Sequence, residues 1–323
     1  MTSDMTFNNG VILDKGSLDN GDLDLSCLNK LVDNWQMYDH TIEKDTLSRV
    51  RQAEVIISNK VIINKITLAQ ASELKLICVA ATGTNNVDLV AAKEQGIRVC
   101  NVTAYATNSV VQHVFSLIFL LHRNICQYDA LVRKGKWDES KHFSCLDYPI
   151  SELTGKTLGI IGYGELGKAI AKTAKAFGLK VIVAQSLTDV KKSDRVELSD
   201  LLSQSDIISI HCPLTSQTEN LINKNTLAQM KSECILINTS RGGVINEVDL
   251  LDALINKKLA AAGLDVLKQE PPDRNLLIEA NLPNLVITPH IAWASHISRQ
   301  RLVDEMCLNI KSFLANTERN IVT

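Results

Sequence analysis

Three polar residues of this 323-residue chain stand just past runs that read as β-strands: Arg241 after ILINTS, Glu270 after GLDVLKQ and His290 after LVITP. In a parallel sheet, ligands meet the protein outside the carboxyl ends of the strands. The three residue types make a working set. An arginine fork holds a carboxylate in two parallel bonds and polarises a neighbouring carbonyl. A histidine exchanges a proton near neutral pH. A carboxylate beside it favours the protonated ring and orients it. Singly, each has a plain structural alternative: a surface ion pair for Arg241, a loop charge before two prolines for Glu270, a satisfied hydrogen-bonder for His290. Together at successive strand ends, they suit hydride and proton exchange with a small 2-hydroxy or 2-keto acid.

A hydride carrier needs a cradle, and LGIIGYGELGK (158–168) offers one. Gly162-x-Gly164-x-x-Gly167 follows the apolar run TLGII and leads into KAIAKTAKAFG, a good helix. That context supplies a tight turn, close backbone approach to a pyrophosphate and the positive end of a helix. The alternative is a glycine turn that serves helix–strand packing alone. The dinucleotide fingerprint places an acidic residue about 20 residues on, to grip the ribose hydroxyls. Here that position holds neutral Gln185, followed by Ser186. No arginine stands at 184–188, and the nearest cations, Lys191 and Lys192, come several residues later. A missing repulsion without a phosphate clamp predicts weak discrimination between NAD and NADP.

Alternating strand-like and helical runs must position these residues. The first part reads VILD (11–14), EVIISN (54–59), LKLICVAA (74–81) and IRVCNV (97–102) as strands, with amphipathic LSCLNKLVDNW (25–35) and VDLVAAKEQG (87–96) between them. The second part reads TLGII (157–161), KVIVA (180–184), DIISIHC (206–212), CILINT (234–239), AGLDVL (262–267) and LVITP (285–289). Short, β-branched, apolar strands separated by helices predict parallel sheets covered on both faces, hence an α/β chain of two doubly wound domains. Thr107-Asn108-Ser109 reads as an N-cap cluster before a long apolar helix. The polar stretch 133–156 reads as a crossover, and 295–317 as a helix that packs back on the first domain, with apolar Leu302, Met306, Ile310 and Leu314. Only the last few residues read as a loose tail.

Composition narrows the partners. Lys+Arg of 34 against Asp+Glu of 36 gives a net charge of -2, with no basic stripe for nucleic acid and no lysine-rich face for an anionic membrane. The longest apolar stretch, VVQHVFSLIFLLHRNI, carries Gln112, His113, Ser116 and His122, too polar for a lone bilayer span. The cysteines form no C-x-x-C pair and follow no cationic leader. A reduced, cytoplasmic chain with thiols as small core residues is the expectation, and no metal is called for.

The chain resembles the D-isomer-specific 2-hydroxyacid dehydrogenases over essentially its whole length, and within them the glycerate dehydrogenase/hydroxypyruvate reductase branch. The resemblance rests on ATGTNNVDL, GIRVCNVTAYAT, LGIIGYGELGKAIAK, HCPLTSQTENLI, INTSRGGVINE, AGLDVLKQEPP and ITPHIAWAS, in family order, with Arg241 and Glu270 spaced 29 residues apart as in the family. It implies a flavodoxin-like substrate domain, 1–105 plus 296–323, with a Rossmann nucleotide domain, 106–295, inserted into it. The reacting atoms would lie in the cleft between them, and closure would exclude water.

By position, the resemblance gives Arg241 the substrate carboxylate and carbonyl, His290 the acid/base role and Glu270 the partnership with His290. Amides around Thr82 and Gly83 would cradle the carboxylate. Thr107, Gly162, Gly164, Glu165, Leu166 and Gly167 would meet the cofactor near its pyrophosphate, and Gln185 and Ser186 its ribose. His211, Cys212, Pro213 and Thr218 would line the adenosine side. Thr239, Ser240 and Asp265 would lie near the nicotinamide, Asp265 fixing the carboxamide. The family often has an arginine where Glu165 stands, so main chain must serve there. Hydroxypyruvate is the expected best substrate and glyoxylate the second, with NAD favoured, NADP also accepted, and a homodimer built on the helix from Thr107. The alternatives are another family dehydrogenase, such as a D-3-phosphoglycerate or D-lactate dehydrogenase, or a dinucleotide-sensing, corepressor-like protein; a formate dehydrogenase would use a different constellation around its histidine. Phosphoglycerate dehydrogenases often carry a C-terminal regulatory extension, and this chain ends at Thr323 without one.

Overall fold

Runs of Val, Ile and Leu become short buried strands, and their parallel pairing leaves each strand end free to carry a loop. The computed structural model describes residues 6–187 and 192–323. It divides into two compact units, Met1–Ala106 with Ala294–Thr323, and Thr107–Trp293.

In the first unit β1 (Phe7–Ile12), β2 (Val32–Met37), β3 (Val55–Ser58), β4 (Leu76–Val79) and β5 (Arg98–Cys100) form a parallel sheet in the order β2-β1-β3-β4-β5. This is the flavodoxin-like order. Its core gathers Val11, Leu13, Ile56, Ile77, Val79 and Val99, all buried. The helix His296–Leu314 belongs to this unit and buries Leu302, Met306 and Ile310.

Three expectations fail here. The stretch 25–35 is helical only over Ser26–Asn29, after which the chain becomes the edge strand β2. Half of that strand faces outward, so its few apolar residues imitate the spacing of a helix face. The chain's end is no loose tail: Asn101 N donates to Asn320 O at 3.2 Å, Cys100 bridges Ile321, and Val322 N donates to Val99 O at 2.8 Å. These bonds cover the outer edge of β5, which would otherwise present unpaired backbone groups. Finally, Cys27 and Cys307 form a disulfide across 280 positions, a pairing local spacing cannot reveal. Cys78, Cys100 and Cys234 are the buried free thiols.

In the second unit β6 (Thr157–Ile161), β7 (Lys180–Val183), β8 (Ile207–Ile210), β9 (Ile235–Asn238), β10 (Ala261–Leu264) and β11 (Leu285–Ile287) form a parallel sheet in the order β11-β10-β9-β8-β6-β7. Beyond β7, one further parallel bridge joins Ala184 to Val196. It is the remnant of a third strand, and with it the order becomes that of a Rossmann sheet. The helix Thr107–His122 packs on β10, where Gly263 gives Leu117 and Leu121 room. Thr107-Asn108-Ser109 is therefore its first turn rather than a cap outside it. The hydroxyls are engaged elsewhere, Thr107 with the Glu165 carboxylate and Ser109 with Ala292 O at 2.7 Å. Among the described residues no single helix is long and apolar enough to cross a membrane.

Candidate active site

β6 ends in the glycine turn. Gly162 adopts φ +94°, and a Cβ there would lie 2.5 Å from Cys212 N. A Cβ at Gly167 would lie 2.2 Å from the Gly162 carbonyl oxygen. Gly164, which caps the helix Glu165–Ala176, faces open space. The first and third glycines let chain segments close on one another, and the second leaves a helix N-terminus approachable by a pyrophosphate. Two buried polar atoms past the neighbouring strands, His211 Nδ1 and Thr239 Oγ1, have no hydrogen-bond partner among the described residues. Buried polar atoms are ordinarily satisfied, so these suit a polar ligand. Burial holds the His211 imidazole down at about 3, which keeps it neutral. Burial also pushes the Cys212 thiol up to about 11, too high for a nucleophile at neutral pH. The set fits a dinucleotide.

At the end of β9 the fully buried Asn238 shapes the next loop. Its Oδ1 accepts from Ser240 N at 3.0 Å and Ser240 Oγ at 2.8 Å, and its Nδ2 donates to Arg241 O at 2.9 Å. Arg241 donates through Nη1 to Ser240 O at 2.7 Å, the one hydrogen bond of its fork among the described residues. Gly242 follows, and a Cβ there would stand 1.9 Å from the carbonyl carbon of Leu267. Only glycine lets the Arg241 loop lie against the loop that leads to Glu270.

Glu270 Oε1 accepts from Leu267 N at 2.9 Å, and Oε2 lies 2.6 Å from His290 Nδ1. With Nδ1 engaged, Nε2 remains for a substrate oxygen. His290 sits at φ +55°, a left-handed conformation that few non-glycine residues adopt unless their surroundings impose it. Its surroundings do. His290 N donates to Asp265 O at 2.8 Å, and the Asp265 carboxylate accepts from Ile291 N at 2.9 Å and Ala292 N at 2.8 Å. A carboxylate, an imidazole and a guanidinium on three successive strand-end loops can bind an anionic carbonyl compound and move a proton to or from its oxygen.

The family model described as D-isomer specific 2-hydroxyacid dehydrogenase, NAD binding domain, matches residues 115–292. A glycerate dehydrogenase from Methylorubrum extorquens is 48% identical over 281 residues, which cover 86% of this chain and 88% of that one. A hydroxypyruvate reductase from Blautia hydrogenotrophica is 40% identical over 320 residues, 97% of this chain and 98% of the other. A solved acyclic imino acid reductase in complex with NADPH and D-Arg is 30% identical, with a TM-score of 0.85 over 98% of this chain and 100% of that one. The chain belongs to the D-isomer-specific 2-hydroxyacid dehydrogenases. It is an NAD(P)-dependent oxidoreductase.

Within this dehydrogenase, several residues named from the sequence also make hydrogen bonds inside the protein. The Asp265 side chain is 1% exposed, and the backbone beside His290 occupies both of its oxygens. The Gln185 amide turns into the following loop, Nε2 donating to Lys192 O at 2.8 Å and Arg195 O at 3.2 Å. The Thr218 hydroxyl closes the turn at Pro213, donating to its carbonyl at 2.7 Å. Thr82 and Gly83, in the other unit, follow β4, and Thr82 Oγ1 donates to Val102 O at 2.9 Å. Lys191 lies outside the described residues. Sequence reasoning missed Asn238, and also Thr288, whose Oγ1 donates to Asp265 Oδ1 at 2.5 Å; neither type carries a signal of its own. His113 did carry one, as a lone imidazole in an apolar helix.

Proposed function

We propose that this dehydrogenase reduces hydroxypyruvate to D-glycerate, with glyoxylate as its second substrate. The observation that carries the reading is the 2.6 Å contact between His290 Nδ1 and Glu270 Oε2, behind a glycine turn fit for a dinucleotide. The names of two relatives that span nearly this whole chain supply the substrate class.

Arg241 binds the carboxylate and draws electron density from the keto oxygen. A nicotinamide dinucleotide held at the turn of Gly162, Gly164 and Gly167 would supply hydride chemistry at the carbonyl carbon. His290 gives the proton from Nε2 to the carbonyl oxygen and becomes neutral, and Glu270 holds the charged ring until then. The amides of Thr82 and Gly83, just past β4, are further candidate donors to the carboxylate. Residues 106–295 serve as the nucleotide domain, and 1–105 with 296–323 as the substrate domain. Trp137, Phe143 and Leu146 are exposed apolar residues of the second unit, a surface suited to a second copy and hence to a homodimer. A net charge of -2 supports an enzyme without nucleic-acid or anionic-membrane partners.

The test is a panel of hydroxypyruvate, glyoxylate, pyruvate and phosphohydroxypyruvate, each with NADH and NADPH. Hydroxypyruvate is expected to give the highest kcat/KM. Faster turnover of phosphohydroxypyruvate or pyruvate would reassign the substrate, and no turnover of any would favour a sensing role.

A further inference from the structure

The remnant third strand brings an arginine to the nucleotide site. Val196 N donates to Val183 O at 2.9 Å and Gln185 N to Val196 O at 2.8 Å, so the chain returning through 192–196 runs beside the end of β7. Gln185 fastens it further: besides its bonds to Lys192 O and Arg195 O, its Oε1 accepts from Lys192 N at 3.0 Å. A carboxylate at this strand end could not donate those bonds. The residue that would grip the ribose in an NAD-specific sheet here docks a loop instead.

The docked loop carries Arg195. Its guanidinium carbon lies 5.7 Å from the ring centroid of Tyr163, the residue between the first two glycines of the turn. The cation thus stands between the glycine turn and the end of β7, the two features that flank the adenosine ribose in a dinucleotide fold. Its Nε is buried with no hydrogen-bond partner among the described residues. Of the described acidic residues of the same loop, Asp194 and Glu197 are both exposed, and among the described residues no ion pair joins Arg195 to a carboxylate. A guanidinium whose buried Nε has no partner among the described residues suits an anion.

We propose that Arg195 reads the 2′-phosphate of NADP(H), so that this dehydrogenase binds the phosphorylated dinucleotide at least as tightly as NAD(H). The inference rests on the NAD(P) dependence of the chain and not on the identity of its keto acid. Gln185 acts as the positioning residue, holding the backbone from which Arg195 reaches the phosphate.

The test measures binding alone, by titration calorimetry of the full-length protein with ADP-ribose and with 2′-phospho-ADP-ribose. Arg195→Gln should weaken the phosphorylated ligand about 10- to 100-fold and leave ADP-ribose within about twofold, as loss of a charge-assisted bond predicts. Arg195→Lys should fall between, because it keeps the charge and loses the fork. Gln185→Asp should also weaken the phosphorylated ligand selectively. Equal losses for both ligands would show that Arg195 only supports the Tyr163 ring, and unchanged affinities would remove it from the site; either overturns the proposal. Failure of the wild-type protein to bind either ligand would overturn it together with the dinucleotide site, whatever the keto-acid assays show.

Discussion

His113, on the helix Thr107–His122, places Nε2 at 2.9 Å from Thr288 Oγ1 and so ties that helix to the loop of His290. The Thr288 hydroxyl gives its own proton to Asp265 Oδ1 at 2.5 Å, so it receives one from His113. Asp265 in turn clamps Ile291 and Ala292. The chain of bonds fixes the strained backbone of His290 from behind.

His113→Leu should therefore displace His290 and lower kcat about 10-fold or more, since small misplacements of a reacting group are costly. His113→Gln can reach Thr288 with an amide donor and should restore most of the loss. A leucine variant with wild-type kcat would show that the bond has no bearing on catalysis.

The pairing of His290 with Glu270 predicts a divided effect. His290→Gln removes the proton donor and should cut kcat about 10²-fold or more while cofactor affinity stays. Glu270→Gln keeps the ring but removes the negative charge 2.6 Å from Nδ1. Without that carboxylate the imidazole is no longer held in position, so kcat should fall about 10-fold or more with cofactor affinity kept. Wild-type kcat in steady-state assays of Glu270→Gln would separate the two residues functionally.

Arg241→Lys tests geometry against charge. The lysine retains a cation but lacks the planar fork, so KM should rise and kcat should fall together. A change in KM alone, from steady-state kinetics on hydroxypyruvate, would make Arg241 a uniform binder of the carboxylate.

The parts legible in the sequence are those where one residue type answers one physical need. Gly162, Gly164 and Gly167 are such positions, and so are the apolar strands before Arg241, Glu270 and His290. The illegible parts depend on partners distant in the chain. Arg195 comes to the end of β7 only because Val196 pairs with Ala184 and Gln185 turns toward the loop. The part Asp265 plays in holding the His290 loop shows only once Ile291 and Ala292 donate to its oxygens. β2 carries outward-facing polar residues on an edge, and Cys27 meets Cys307 only because the last helix returns to the first unit.

His211 gives the last prediction, on stability against pH. Its ring is held neutral, with a folded value near 3 against the ordinary 6.5, because burial penalises the charged form. A histidine depressed in this way leaves stability intact above about pH 7. As pH falls below 6.5, the unfolded chain takes up a proton that the folded chain refuses, and stability drops by about 1.4 kcal/mol per pH unit until the folded value is reached. By pH 5 the loss from this one group is about 2 kcal/mol, an upper figure because the residue is partly exposed. His211→Gln cannot take up the proton in either state. Urea unfolding at pH 7.5 and pH 5 should therefore show a smaller acid loss in the variant than in the wild type, by up to that amount. Equal losses in the two proteins would mean that the His211 ring accepts its proton in the folded state.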